Sequence, residues 1–227
     1  DVAPAAGLRD GHRSGNARKA IPSVQFPDSR ILIFAKAPLP GQVKTRLIPR
    51  LGADGAAHLQ GALMERTITQ AVTSGLAPVD FWCAPSADHP ACLRLASEFG
   101  IAPETQVGED LGERMLRAAE QGLRGAGSVL LIGTDCPALS VIHLRQALLW
   151  LESGTDAVVG PAEDGGYVLL GLRRADPLLF EGMAWGGDRV LRETRDRLWE
   201  LGWQWRELET LWDLDRPEDL ERYLEMA

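Results

Sequence analysis

Two of the chain's three lysines, Lys36 and Lys44, fall within one stretch, FAKAPLPGQVKTRL, while arginine supplies nearly every other positive charge. A lysine is a compact point charge and an arginine a planar fork, so the choice carries chemical meaning. Pro38, Pro40 and Gly41 form a tight turn, and Thr45 and Arg46 follow Lys44 directly. Backbone amides near Gly41, with Lys36, Lys44 and Arg46 around them, suit a polyphosphate. The pattern is neither a Walker A loop nor a G-x-G-x-x-G loop. The competing reading is a surface loop with solvated cations; rare lysines combined with turn chemistry favour the anion site.

Three further clusters carry acids. In LLIGTDCPAL, Asp135 stands just past a buried apolar run, and Pro137 fixes the chain beyond it. A carboxylate there can hold Mg²⁺ or Mn²⁺, hard ions that take oxygen ligands and bridge to substrate phosphates; otherwise it caps a turn with Thr134. In GPAEDGGYVLLGL, Gly165 and Gly166 permit positive φ or close backbone approach, with Glu163 and Asp164 before them and Tyr167 after. That segment reads as a hairpin, a substrate wall, or both. In WDLDRPEDL, Asp215 and Glu218 match a helix-starting box, which leaves Asp213 free as a second metal carboxylate. Cys136 reads as a packing residue, since no base adjoins it. The four histidines are scattered, with His58 and His143 on helical patterns as surface or packing groups.

Each polar cluster follows a β-forming run, and helical patterns lie between. RILIFAK and SVLLIGTD are continuous apolar runs of the kind buried on both faces of a parallel sheet. PVDFWCA, DAVVGPA, GYVLLGL and WQWREL add strands. Helices are predicted from GADGAAHLQGALMERTITQAVTSG, with Asp54 as cap and Gly75 as stop, and from PACLRLASEFG. DLGERMLRAAEQGLRGAG gives another, with Leu111, Met115 and Leu116 on one face. SVIHLRQALLWLESG, capped by Ser140, GGDRVLRETRDRLWELG and RPEDLERYLEM complete the set. Alternation of this kind predicts an α/β domain with a mostly parallel sheet flanked by helices, whose ligands bind beyond the strands' carboxyl ends.

Composition narrows the setting. A net charge of -8 argues against nucleic-acid partners, which need a broad basic face. The three cysteines have no zinc spacing and are too few for a disulfide framework, so a reducing cytoplasm is expected. No apolar run approaches bilayer length, so no membrane partner is expected. Residues 1–28 lack periodicity and an apolar core, and predict a flexible extension rather than a signal peptide. Residues 29–227 then form a single domain. Oligomeric state is not legible.

FAKAPLPGQVKTRL, GTDCPAL, GPAEDGGYVLLGL and WDLDRPEDL, in this order, resemble the DUF2064 family. Its members are described as nucleotide-diphospho-sugar-transferase-like glycosyltransferases, some assigned to arsenosugar biosynthesis. The resemblance implies a GT-A-type three-layer α/β/α sandwich related to the molybdenum-cofactor and phospholactate guanylyltransferases. It implies that Lys36, Lys44 and Arg46 face donor phosphates, that Asp135 and Asp213 hold the metal, and that Asp164, Gly165, Gly166 and Tyr167 line the acceptor side. One departure stands out: Trp185-Gly186-Gly187 replaces an expected Trp-Ser-Thr. The expected activity is metal-dependent sugar transfer from a nucleotide sugar to a small acceptor. The alternatives are nucleotidyl transfer from an NTP to a phosphorylated acceptor, which a cation-rich loop suits, and a non-catalytic nucleotide-binding regulator.

Overall fold

Alternate residues of the first apolar run serve opposite faces of one sheet. In the computed structural model, which describes residues 24–226, Ile31, Ile33 and Ala35 enter one core cluster and Leu32 the other. Leu130 and Ile132, against Val129 and Leu131, repeat the division one strand away. Both faces are covered, which is why these runs lack polar alternation.

The strands are β1 (Ser29–Lys36), β2 (Val79–Ala84), β3 (Pro103–Thr105), β4 (Ser128–Gly133), β5 (Ala157–Pro161), β6 (Tyr167–Leu172) and β7 (Trp205–Glu207). The helices are α1 (Ile48–Thr73), α2 (Pro90–Phe99), α3 (Leu111–Leu123), α4 (Val141–Glu152), α5 (Val190–Glu200) and α6 (Pro217–Glu225). All seven strands form one sheet in the order β3-β2-β1-β4-β6-β5-β7. Pairings are parallel except those of β6, which runs antiparallel to β4 and β5. The mostly parallel three-layer architecture is thus as predicted. Residues from α1, α2 and α4 pack on one face, and residues from α3 and α5 on the other. A third cluster of Leu47, Leu63, Trp212 and Leu214 joins the loop after β1, α1 and the segment before α6.

Several local expectations are corrected. Phe26 is buried in the first core cluster and its N–H donates to Leu76 O at 2.7 Å, so the expected extension does not reach residue 28. Residues 1–23 of that extension lie outside the described residues. α1 starts at Ile48 and is interrupted at Gly52 (φ 71°, ψ 167°), so Gly52 rather than Asp54 marks the entry to its long segment. Gly75, with φ 61°, does end it. α6 is capped at Arg216, whose N–H donates to Asp219 at 2.6 Å; the expected Asp215–Glu218 box does not form. β3 was not foreseen, because a three-residue edge strand beginning with proline has no periodicity to read. Leu111 shares a cavity wall with Met115, as expected of one helix face, but is itself exposed. The helix expected from Gly186 begins at Val190. Ser140 and His143 cap α4 as a pair, which accounts for that histidine structurally. Among the described residues, no helix is long and apolar enough to cross a membrane.

Candidate active site

The β1 and β4 carboxyl ends lie side by side, and the two loops leaving them meet at one ion pair. Lys44 Nζ is 2.8 Å from Asp135 Oδ1, with the lysine side chain 3% exposed and the aspartate 49% exposed. The lysine's directed hydrogen bond goes to Leu214 O at 2.6 Å. Asp135 Oδ1 is buried and has no hydrogen-bond partner of its own, so its tie to Lys44 is electrostatic. Leu214 N–H donates to Asp135 O at 2.7 Å, which draws the segment carrying Asp213 onto the same point. Lys44 is the one non-glycine with positive φ among the described residues, at 47°. A left-handed lysine is locally disfavoured, and the buried ammonium is what holds it there.

This placement differs from the expected phosphate ligand. Lys44 points inward and organises the loop after β1, Asp135 and the Asp213 segment; it does not project toward solvent. Arg46 is exposed but paired with Asp215. Thr45 is exposed at the start of a single 3-10 turn. Gly41 has φ 79° with open space where a side chain would lie, so its glycine serves the turn. Pro38 lines the groove along α1. Lys36, the last residue of β1, remains exposed and faces a cavity of about 200 Å³ with Gln42, Gln106 and Arg114. Gln106 fixes that corner by donating to Ala35 O at 3.1 Å and Trp82 O at 2.9 Å.

The β5–β6 turn supplies the opposite wall. Asp164 Oδ1 accepts the Gly166 N–H at 2.8 Å, closing the turn. Gly165 has φ 89°, and a side chain there would overlap the Asp188 carbonyl, so no other residue fits. Glu163 is held away by Arg222 at 3.0 Å. Asp164, Gly166 and Tyr167 line a cavity of about 210 Å³ together with Trp185, Gly186, Gly187 and Asp213. Tyr167 and Trp185 meet edge to face with centroids 6.4 Å apart. Burial raises the Tyr167 phenol well above its ordinary value, which keeps it neutral and makes it a wall rather than a proton carrier. The Trp185-Gly186-Gly187 departure therefore falls inside the site.

Electrostatics mark Asp213. Burial, then the Asp164 carboxylate and more weakly Asp135 and Asp215, push its carboxyl up to about 6. Burial also pushes the Cys136 thiol up to about 12, consistent with a packing role. The crowded acids, and the second Asp135 oxygen left exposed while Oδ1 is buried against Lys44, fit a hard divalent cation. Among the described residues no three potential ligands converge on a point. Two carboxylates with substrate phosphates completing the shell is a common Mg²⁺ arrangement.

Sequence reasoning missed Phe34, Met115 and Gly133 in the larger cavity and Gln106 and Arg114 in the smaller. Phe34, Met115, Gly133 and Arg114 sit in strand or helix patterns that the fold already explained, and Gln106 sits in the loop after the unforeseen β3. Gly133, closing an otherwise apolar strand, was the available signal.

The sheet order and the cluster at its carboxyl edge define an α/β protein of the nucleotide-diphospho-sugar-transferase type. The family model for DUF2064, described as an uncharacterized protein conserved in bacteria, matches residues 67–187, and the chain belongs to this family. A candidate nucleotide-diphospho-sugar transferase from Desulfovibrio desulfuricans G20 is similar at 32% identity over 84% of each chain, with a TM-score of 0.76. A cytidylyltransferase from Leptospira borgpetersenii shares the fold at 14% identity and TM-score 0.55, over 87% of this chain and 85% of its own. A nucleotidyl transferase from Methanothermobacter shares it at 16% identity and TM-score 0.55, over 87% and 96%. No curated protein matches the sequence.

Proposed function

We propose that the protein is a transferase acting on a nucleotide-activated donor, with Mg²⁺ or Mn²⁺ held by Asp135 and Asp213. The observation that carries this reading is the Lys44–Asp135 pair, 2.8 Å long, which ties the loop after β1, where Val43 lines one cavity, to the loop that leaves β4 at Gly133, a residue lining another cavity of different chemistry. On the β1–β2 side, Lys36 and Arg114 offer positive charge to a donor's phosphates. On the β4–β6 side, Asp164, Gly166 and Tyr167 border the space for an acceptor. A bound divalent ion would offset the charge that develops on the departing diphosphate.

The chain's own residues supply position. Lys44, locked by Asp135 and Leu214 O, keeps the carboxylate's free oxygen turned outward. Gly165 and Asp164 hold the acceptor wall rigid, so a bound hydroxyl meets the donor in fixed geometry. Such transfer needs no covalent intermediate. The preferred reaction is sugar transfer to a small acceptor; the similarity to a candidate nucleotide-diphospho-sugar transferase supports it. Nucleotidyl transfer is the second reading, supported by the fold shared with nucleotidyl transferases and by the Lys36–Arg114 corner. A turnover assay with Mn²⁺ separates them. Release of a nucleoside diphosphate from a nucleotide sugar is expected, and release of pyrophosphate from an NTP would replace the first reading by the second. Tight nucleotide binding with neither product would leave a non-catalytic regulator.

A further inference from the structure

The larger cavity exists because a strand ends in glycine. Strand alternation puts position 133 on the same face as Val129 and Leu131, and a Cβ built there meets nothing within 4 Å. The missing side chain leaves a space of about 210 Å³ walled by Phe34, Met115, Tyr167 and Trp185. That is below the roughly 300–1,000 Å³ of a site for a drug-sized ligand, so it holds a compact group and not a whole nucleotide.

Its charge is one-sided. Among the described residues no lysine or arginine lines it; the charged residues are Asp164 and Asp213. The adjoining groove, which shares both aspartates, carries six carboxylates against Arg46 and Arg216; Arg46 is already paired with Asp215, and Glu163 is paired with Arg222 outside the lining. One divalent ion would not reverse that balance. A phosphate or carboxylate entering here would lose its water and meet like charge. Gly186 and Gly187 at the mouth add no donor side chain.

We propose that this cavity receives the second substrate and selects one with no anionic group, its apolar body against the space above Gly133. The inference rests on the transferase reading and deepens it, since it excludes a phosphorylated acceptor. Three compact probes of near-equal shape test it: 3,3-dimethyl-1-butanol (neutral), choline (cationic) and 3,3-dimethylbutanoate (anionic). Binding is titrated by ligand-observed saturation-transfer NMR. The alcohol and choline are expected to bind, with the carboxylate weaker by about tenfold or more. Gly133→Leu, which fills the space, is expected to abolish alcohol binding with the circular dichroism spectrum unchanged. Should that variant misfold, Gly187→Thr, which narrows the mouth, is expected to weaken the same probe. Carboxylate binding as tight as the alcohol's, binding that survives both substitutions, or no binding of any probe would overturn the proposal. A protein that ranks the probes as expected yet ignores nucleotides would sink the transferase reading and leave the cavity's charge preference standing.

Discussion

Two cavities of nearly the same volume, about 200 and 210 Å³, are lined by residues of the strand-and-loop segments that the Lys44–Asp135 pair joins, and they differ in charge. The one at the ends of β1 and β2 presents Lys36 and Arg114; the one at β4 and β6 presents Asp164 and Asp213 among apolar walls. The difference teaches how an acidic protein can manage an anionic donor. Cations line one cavity and acids the other, which on the proposed reading leaves room for a metal ion and an uncharged partner. The lysine that joins the two segments lines neither cavity.

Breaking the junction should have the largest effect. Asp135→Asn is expected to lower turnover by roughly 10²–10³-fold, the scale for removing one electrostatic stabiliser. It should also destabilise the fold by roughly 2–3 kcal/mol, because Lys44 would stay buried without its counter-charge; the half-exposed aspartate keeps this below a fully buried pair. Adding Lys44→Met should restore most of the melting temperature and none of the turnover. Recovered turnover in the double variant would mean that Asp135 serves only to hold the lysine.

Next in size, Lys36→Met should weaken nucleotide affinity by roughly 1.5–3 kcal/mol, measured by calorimetry, as for a charged hydrogen bond. Binding of a neutral acceptor probe should not change. Equal loss on both sides would erase the distinction between the cavities. Gly112→Ala addresses the aromatic wall: its Cβ would lie 2.6 Å from Trp185 Nε1 and 2.5 Å from Phe180 O. A stability loss of about 1–3 kcal/mol is expected in denaturant titrations, with acceptor-probe binding reduced more than nucleotide binding.

The smallest effect concerns pH. Asp213 is raised to about 6 by burial and by its neighbouring acids. The folded state therefore holds this proton more tightly than the unfolded chain, whose aspartate titrates near 4. The stability it contributes is present below about pH 4 and is lost as the pH rises through about 6. Asp213→Asn should flatten that slope and raise metal-free stability at pH 7 by on the order of 1 kcal/mol, discounted for solvent screening. Melting curves between pH 4 and 7 without divalent ions check it.

The sheet was legible because strands buried on both faces have unbroken apolar runs, as in Ile31–Ala35 and Val129–Ile132. The meeting of the polar loops was legible because polar residues past such runs must gather at the carboxyl edge. What each residue does there was less so. Lys44 reads as an exposed phosphate ligand until burial and Leu214 O show where its ammonium goes, and that contact spans 170 residues of sequence. Asp215 reads as a helix cap until Arg46, nearly as distant in sequence, takes it. The cavity above Gly133 was illegible because an absent side chain makes it, and a void has no residue code.

The most direct measurement is calorimetric titration of the wild-type protein with a nucleotide sugar, in Mn²⁺ and in EDTA. The site described here predicts binding with Mn²⁺, a loss of most affinity in EDTA, and the same loss in Mn²⁺ for Asp213→Asn. Undiminished affinity in EDTA, shared by that variant, would contradict a divalent ion gripped between the acids and the donor's diphosphate.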